Sequence, residues 1–384
     1  MRSRLHLFTP KSHSHPDWML MGIVFVLLLF GWVMLYSASA FVAESRYGNQ
    51  YFYLKKQILW SGLGLLGLWI AMKVDLKIVQ KLSRPVLLVS VAFLIMVLFF
   101  GREVAGSRRW LRLGGFGFQP SEFAKLAVVL SLADYLDRKK SHLKDFSSGL
   151  VPALILLGIP VLLVGLERDL GTPFLMFTVG IGMTFMAGAR LMHMFLLGLL
   201  VTPVLYWQLF HVSYRRHRLF SFLNPWADSQ GTGYQLVQSF LALGSGGLWG
   251  KGSGESTIKL YYLPESQTDF IFSVFGEEWG FIGTSLLTLV FGFLSFRCLK
   301  IGQRAPTWFQ MLLAVGIGLM LGFQALINLG VVTGLLPTKG IPLPFISFGG
   351  SSLLFMMVSM GLVLNVSQQI NAEGEREMRR RVRS

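Results

Sequence analysis

Apolar residues in this chain neither alternate nor form a narrow helical stripe. They come in long runs separated by short polar segments. About ten of these runs approach the roughly 20 residues that a helix needs to cross a hydrocarbon core. They lie at about 18–41, 53–72, 85–100, 121–137, 149–165, 172–188, 191–210, 270–296, 308–333 and 351–370. The pattern predicts an all-α polytopic membrane domain over 18–370, between an N-terminal tail (1–17) and a basic C-terminal tail (371–384). Residues 211–269 make a large loop between the seventh and eighth runs. Within it, Tyr234 to Trp249 reads as an apolar helix too short to span, dipping into the membrane or lying on it. The first run ends in Ser37-Ala38-Ser39-Ala40, which looks like a signal-peptidase site. It exceeds the roughly 7–15 residues of a signal core, so it is read as an uncleaved first span.

Composition agrees with lipid as the solvent. Of the 384 residues, 53% are hydrophobic and 14% charged, against roughly 25% charged in soluble domains. The mean hydropathy is +0.57. A net charge of +16 would suit a nucleic-acid binder, but the cations sit in short clusters at the ends of apolar runs, where membrane topology explains them. With the N-terminus cytoplasmic, about 20 of the 35 Lys and Arg fall inside, including Arg2, Arg4, Lys11, Lys139, Lys140, Arg297, Lys300 and Arg304. Both termini are therefore expected in the cytoplasm. The single cysteine, Cys298, excludes a disulfide framework or a cysteine metal site.

The outer cations run against that asymmetry. Arg102, Arg108, Arg109 and Arg112 crowd the segment after the third run. Arg215, Arg216, Arg218, Lys251 and Lys259 lie in the large loop, and Lys339 lies between the last two runs. They suggest an anionic ligand at the outer membrane surface; ordinary loop solvation and headgroup contact are the plainer alternative.

Ionisable groups at membrane depth or its outer edge are costly and mark candidate sites. Glu122 and Lys125, three apart after Gln119-Pro120-Ser121, share one helix face; they read as a cleft wall or as a self-neutralising pair. Asp269 stands at the start of the eighth run. It is either a first-turn acid complementing the helix dipole or a general base reachable from outside. Glu277, two turns on, is within reach of the same face. The Gly- and Pro-rich segment Gly334–Ser352 around Lys339 suits a pyrophosphate nest, or simply a tight turn. Gly250-Lys251-Gly252 is not a phosphate loop, since Ser245 stands where the first glycine belongs. His211 and His217 lack metal-pair spacing within a helix, and no Gly-x-Ser-x-Gly elbow is present.

Several ordered blocks resemble one family, the SEDS proteins (shape, elongation, division and sporulation). They are Gly106-Ser-Arg-Arg-Trp-Leu-x-Leu-Gly, Gln119-Pro-Ser-Glu-Phe-Ala-Lys-Leu, Asp169-Leu-Gly-Thr, Gly233-Tyr-Gln-Leu-Val-Gln-Ser, Gly244-Ser-Gly-Gly, Thr268-Asp-Phe-Ile-Phe with Gly276-Glu-Glu, and Leu336-Pro-Thr-Lys-Gly through Ser352. The Leu336-Pro-Thr-Lys-Gly form and Asn224-Pro-Trp-Ala-Asp are more similar to division than to elongation members. The resemblance implies a ten-helix glycosyltransferase of the bacterial cytoplasmic membrane that polymerises lipid II outside, during septal wall synthesis. It implies Asp269 as the catalytic acid–base residue, with Glu122 shaping or polarising the cleft. By carry-over, Arg108, Arg109, Trp110, Gln119, Lys125, Gln235, Gln238, Ser245, Lys339 and Ser351 are substrate-binding candidates. No cofactor is certain, and a divalent cation (Mg or Mn) assisting the pyrophosphate is left open. The implied partners are a class B penicillin-binding protein of the FtsI type, with FtsQ, FtsL and FtsB. Three positions depart from the family pattern: Gln267 for His, Arg168 for Pro and Phe348 for Tyr. Rival readings are a lipid II flippase and a non-catalytic division scaffold. An acid at the outer face rather than the midplane, and no clear internal repeat, favour the enzyme.

Overall fold

The structure, a computed structural model, describes residues 14–104, 107–113, 116–167, 169–210, 213–259 and 263–383. Arg2, Arg4, Lys11, Gly106, Arg168 and His211 lie outside them. A helix stands at each of the ten expected runs: α1 (Trp18–Tyr47), α2 (Phe52–Lys73), α3 (Leu76–Phe100), α4 (Pro120–Arg138), α5 (Val151–Leu166), α6 (Gly171–Met186), α7 (Leu191–Phe210), α10 (Ile271–Gln303), α11 (Trp308–Val332) and α12 (Gly350–Arg383). Two further helices, α8 (Ser213–Leu223) and α9 (Tyr234–Gly246), lie in the large loop. Among the described residues, six helical segments are long and apolar enough to cross a membrane: α1, α3, Phe146–Leu166 containing α5, α10, α11 and α12.

Local chemistry sets the helix ends. Asp17 Oδ1 accepts the Leu20 amide at 3.0 Å to start α1, and Asp75 accepts the Lys77 amide at 2.9 Å to start α3, each satisfying a donor with no intrahelical partner. Pro120 opens α4, where its missing N–H costs nothing. Gly48, at φ 64°, closes α1 in the left-handed region. Helix α1 therefore runs six residues past the expected boundary at 41, and α10 continues to Gln303 rather than 296. Helix α12 carries its helical backbone through the basic tail.

Helices α11 and α12 form the centre, with 78% and 83% of their apolar windows buried, against 22% for both α3 and α10. Small residues let backbones approach closely, as expected where lipid supplies no hydrophobic drive between helices. A Cβ at Gly361 of α12 would come within 2.4 Å of the Leu68 carbonyl oxygen of α2.

Two features depart from an all-α reading. The arginine-rich segment after α3 is an antiparallel three-stranded meander, β1 (Arg102–Val104), β2 (Ser107–Leu113) and β3 (Phe116–Phe118), with Arg102 opposite Trp110 and Arg112 opposite Gly117. Helix α10 also breaks at Gly280 (φ 65°, ψ −164°). The backbone groups freed there pair with the loop after α9: Phe281 and Ile282 donate to the Gly247 and Leu248 carbonyls at 2.9 and 3.1 Å. Lys251 and Gly252 in turn donate to the Glu277 and Glu278 carbonyls at 3.0 and 3.1 Å. Irregular backbone inside an apolar bundle needs partners of this kind.

Candidate active site

Asp269 lies just before α10 on a segment held on two sides. Asn328 of α11 donates from Nδ2 to the carbonyl oxygens of Asp269 and Ile341, both at 2.8 Å. Ser347 donates from Oγ to the Thr268 carbonyl at 2.6 Å, and the Phe348 amide donates to the Gln267 carbonyl at 2.9 Å. The Asp269 segment and the Gly/Pro-rich segment between α11 and α12 are thereby tied into one unit. Side chains cross it too: a Cβ on Gly340 would fall 2.6 Å from Asp269 Oδ2, so the carboxylate packs against this glycine and would have to shift for a larger residue. Gly340 is exposed, and Asp269 and the adjoining Lys339 are half-buried. In the same segment Phe345 adopts φ 65°, a left-handed conformation that is costly for an aromatic residue. Gly31 of α1 packs against that carbonyl, where a Cβ would come within 2.5 Å.

Glu122 and Lys125 form an ion pair at 2.8 Å with side chains only 5% and 4% exposed. Lys125 also donates to Gln324 Oε1 at 2.8 Å, and Gln324 Nε2 donates to the Pro342 carbonyl at 2.9 Å. The pair is self-neutralising, and it also supports the wall behind Asp269 through Gln324. Its nitrogen is engaged twice inside the protein, so its role toward a substrate is indirect.

The arginines of β2 separate by strand alternation. Arg109 turns inward and meets Asp169 at 3.8 Å, whereas Arg108 is exposed and lies 3.8 Å from Glu103. Trp110 covers Gly117 across the meander, where a Cβ would be 3.3 Å from its ring. Asp169 accepts the Gly171 and Thr172 amides at 2.9 and 3.3 Å and the Thr172 hydroxyl at 2.9 Å, fixing the start of α6. Gly171 in turn packs against Ile341, with 2.9 Å from a built Cβ to Cδ1. Arg109 and Asp169 thus reach the Asp269 unit through Ile341. Gln119 and Ser351 do meet, but as scaffold: Ser351 Oγ accepts the Gln119 amide at 3.1 Å and donates to the Gly117 carbonyl at 3.3 Å.

Other expectations are corrected. Glu277, expected within reach of the Asp269 face, is taken up by other groups. It is fully buried and collects donors from the end of α9 and the loop after it, namely Lys251 at 2.6 Å, Ser245 at 3.3 Å, the Thr257 hydroxyl at 3.0 Å, the Thr257 and Ile258 amides at 3.3 Å, and Ser256. Ser245 therefore belongs to this cluster. Lys259 is likewise held, by Glu278 at 2.9 Å, Ser37 at 3.0 Å and the Gly254 carbonyl at 2.6 Å. Two of the outer cations that suggested an anionic ligand are thus neutralised by acids of α10. Gln235 and Gln238 lie half-buried on α9. Ser239 of the same helix donates to the Val332 carbonyl at 2.6 Å, which sets α9 against the end of α11.

The sequence reading missed Gln324 and Asn328, whose signal was present: two amides four apart in an otherwise apolar run share one helix face. It also missed Glu167, which is buried with both carboxylate oxygens lacking a hydrogen-bond partner among the described residues. Burial, then the Asp169 charge, push Glu167 up to about 9, and Arg109 opposes them; the group is protonated at neutral pH. Among the described residues no cluster of three or more His, Cys, Asp or Glu is placed to hold a metal.

Comparison with known proteins shows the family and the fold. A family model described as "Cell cycle protein", covering FtsW, RodA and SpoVE, matches residues 17–372. The probable peptidoglycan glycosyltransferase FtsW of Geobacter sp. (strain M18) is 41% identical over 357 residues, covering 92% of this chain and 97% of that protein. Stage V sporulation protein E of Bacillus subtilis (strain 168) is 42% identical over 362 residues, covering 94% and 99%. Among solved structures, a chain of a peptidoglycan synthase complex aligns at TM-score 0.77 with 31% identity over 92% of this chain and 98% of that one. The rod shape determining protein RodA of Thermus thermophilus aligns at 0.69 with 29% identity, covering 92% and 97%. With the match running from before α1 into α12, the chain belongs to the FtsW/RodA/SpoVE family.

Proposed function

We propose that this protein is a peptidoglycan glycosyltransferase of the division branch, polymerising lipid II into glycan strands with Asp269 as general base. The observation that carries the reading is the seating of the Asp269 carboxylate on exposed Gly340, beside Lys339, on a backbone anchored by Asn328 and Ser347. A carboxylate held there can take the proton of an acceptor GlcNAc 4-hydroxyl. The oxygen then attacks the donor anomeric carbon, and the bond to undecaprenyl pyrophosphate breaks with inversion. Charge builds on the leaving pyrophosphate, and nearby cations stabilise it. Lys339 is the cation next to the acid, and Arg109 reaches the unit through Asp169 and Ile341. Arg108, exposed on the meander, is placed to meet a second pyrophosphate or a headgroup further out. Lys125 and Glu122 act from behind as support.

The proposal includes ten spans in a bacterial cytoplasmic membrane, both termini inside and the Asp269 face outside, which the cation distribution supports. It includes a class B penicillin-binding protein of the FtsI type as partner, with FtsQ, FtsL and FtsB. The test is polymerisation of fluorescent lipid II by purified protein with its partner. Asp269→Asn is expected to lower the rate by about 10²–10⁴ with folding and partner binding intact. Full-rate polymer from that variant would refute the general base, and lipid II crossing vesicles without polymer would make the protein a transporter instead.

A further inference from the structure

We propose that the cavity at the bundle end opposite Asp269 is a binding site for the phosphodiester of an anionic phospholipid. The cavity, about 300 Å³, lies between the start of α1, the C-terminal part of α10 and α12. Arg297 lies 17 residues beyond the break at Gly280, about 25 Å of helix at 1.5 Å per residue, so this cavity is separate from the Asp269 unit.

Its lining carries three cations, Arg297, Lys300 and Arg304, against one acid, Asp17. That acid is committed twice: Oδ1 caps α1 through the Leu20 amide, and Oδ2 accepts Arg297 Nε at 2.8 Å. The pair with Asp17 fixes the guanidinium through Nε rather than through the terminal nitrogens, the edge that forks a phosphate. Among the described residues no acid lies within ion-pair distance of Lys300 or Arg304. Positive-inside topology requires cations near helix ends, but it does not require three of them to line one recess.

A lipid fits better than a free anion because the rim is apolar. Trp18 and Met19 line the cavity and are 60% and 53% exposed, which suits an aromatic at headgroup level with acyl chains beyond it. Basic pockets between helices on the cytoplasmic side hold anionic headgroups by this chemistry.

The experiment is native mass spectrometry of the delipidated full-length protein titrated with phosphatidylglycerol or phosphatidylcholine. Phosphatidylglycerol is expected to bind selectively. Lys300→Gln and Arg304→Gln should each weaken it about fivefold, and together about twenty-five-fold, at roughly 1 kcal/mol per basic residue. Lys77→Gln with Lys81→Gln removes the same charge from α3 outside the cavity and should leave binding unchanged, as should Asp269→Asn. Equal binding of the two lipids, undiminished binding by the double variant, or an equal loss in the α3 control would overturn the proposal. Displacement of the lipid by millimolar inorganic phosphate would overturn it as well, by making the site one for free phosphate. Lys300→Arg with Arg304→Lys, which keeps both charges, should bind as wild type; loss there would show that the cations act only on the fold.

Discussion

Asn328→Leu is the substitution that most directly tests whether Asp269 is held by its neighbours. Asn328 is 1% exposed, and its amide nitrogen serves two carbonyls, those of Asp269 and Ile341. Leucine has nearly the same volume and no donor, so the change takes the Asn328 donor away from two carbonyls, that of Ile341 buried and that of Asp269 part-buried. Each orphaned acceptor costs about 1–3 kcal/mol. One offset applies: Asn328 Oδ1 has no hydrogen-bond partner among the described residues, and removing it relieves roughly 1 kcal/mol of desolvation. The net penalty is about 1–5 kcal/mol, and it falls on the junction between the Asp269 segment and the Gly340 segment. If the junction escapes by opening, a penalty near 2 kcal/mol lowers the closed-to-open ratio about thirtyfold. Turnover of fluorescent lipid II should drop, by at most that factor, while thermal unfolding in detergent shifts by a few degrees. Wild-type turnover in a folded Asn328→Leu protein would refute the claim that this amide positions the acid. A loss of turnover matched by global unfolding would refute it equally, by reducing Asn328 to a packing residue.

The remaining predictions concern the supports. Lys125→Met strands the buried Glu122 carboxylate and should destabilise by about 3–5 kcal/mol. Adding Glu122→Gln should recover most of that loss, and a double variant less stable than the single one would contradict the pairing. Because burial raises Glu167 to about 9, its contribution to stability is complete below its ordinary value near 4.5. That contribution is lost as pH climbs through 9. Glu167→Gln should therefore flatten the fall in melting temperature between about pH 5 and 9, and an unchanged slope would place the titration elsewhere. Lys339→Ala should weaken lipid II use more than it disturbs folding; unchanged kinetics would remove Lys339 from the site.

Much of this architecture was legible in the sequence because hydrophobic runs report helices without knowledge of their partners. Each of the ten runs has its helix, and position alone singled out Asp269, Glu122 with Lys125, and Lys339 as candidates. Run lengths could not show that α1 and α10 extend beyond their apolar cores, since those ends are set by Gly48 and by the turn at Arg304. Nor could they show the strands of the arginine segment, where seven residues of β2 are too few to set a period against their short neighbours. The electrostatics were the hardest part to read. A charge count sees Lys251 and Lys259 as surplus, whereas their acids, Glu277 and Glu278, lie 26 and 19 residues away and meet them only because α10 breaks at Gly280. A Cβ at Gly280 would fall 2.4 Å from the Gly250 amide nitrogen, so glycine there decides whether the loop can dock and neutralise both lysines. Once those two are subtracted, and Arg109 is counted as paired with Asp169, the proposed pyrophosphate contact rests first on Lys339 beside Gly340. Lys339 adjoins the glycine against which the Asp269 carboxylate packs, so the proposed base and the proposed leaving-group cation belong to one anchored unit rather than to a diffuse cationic surface.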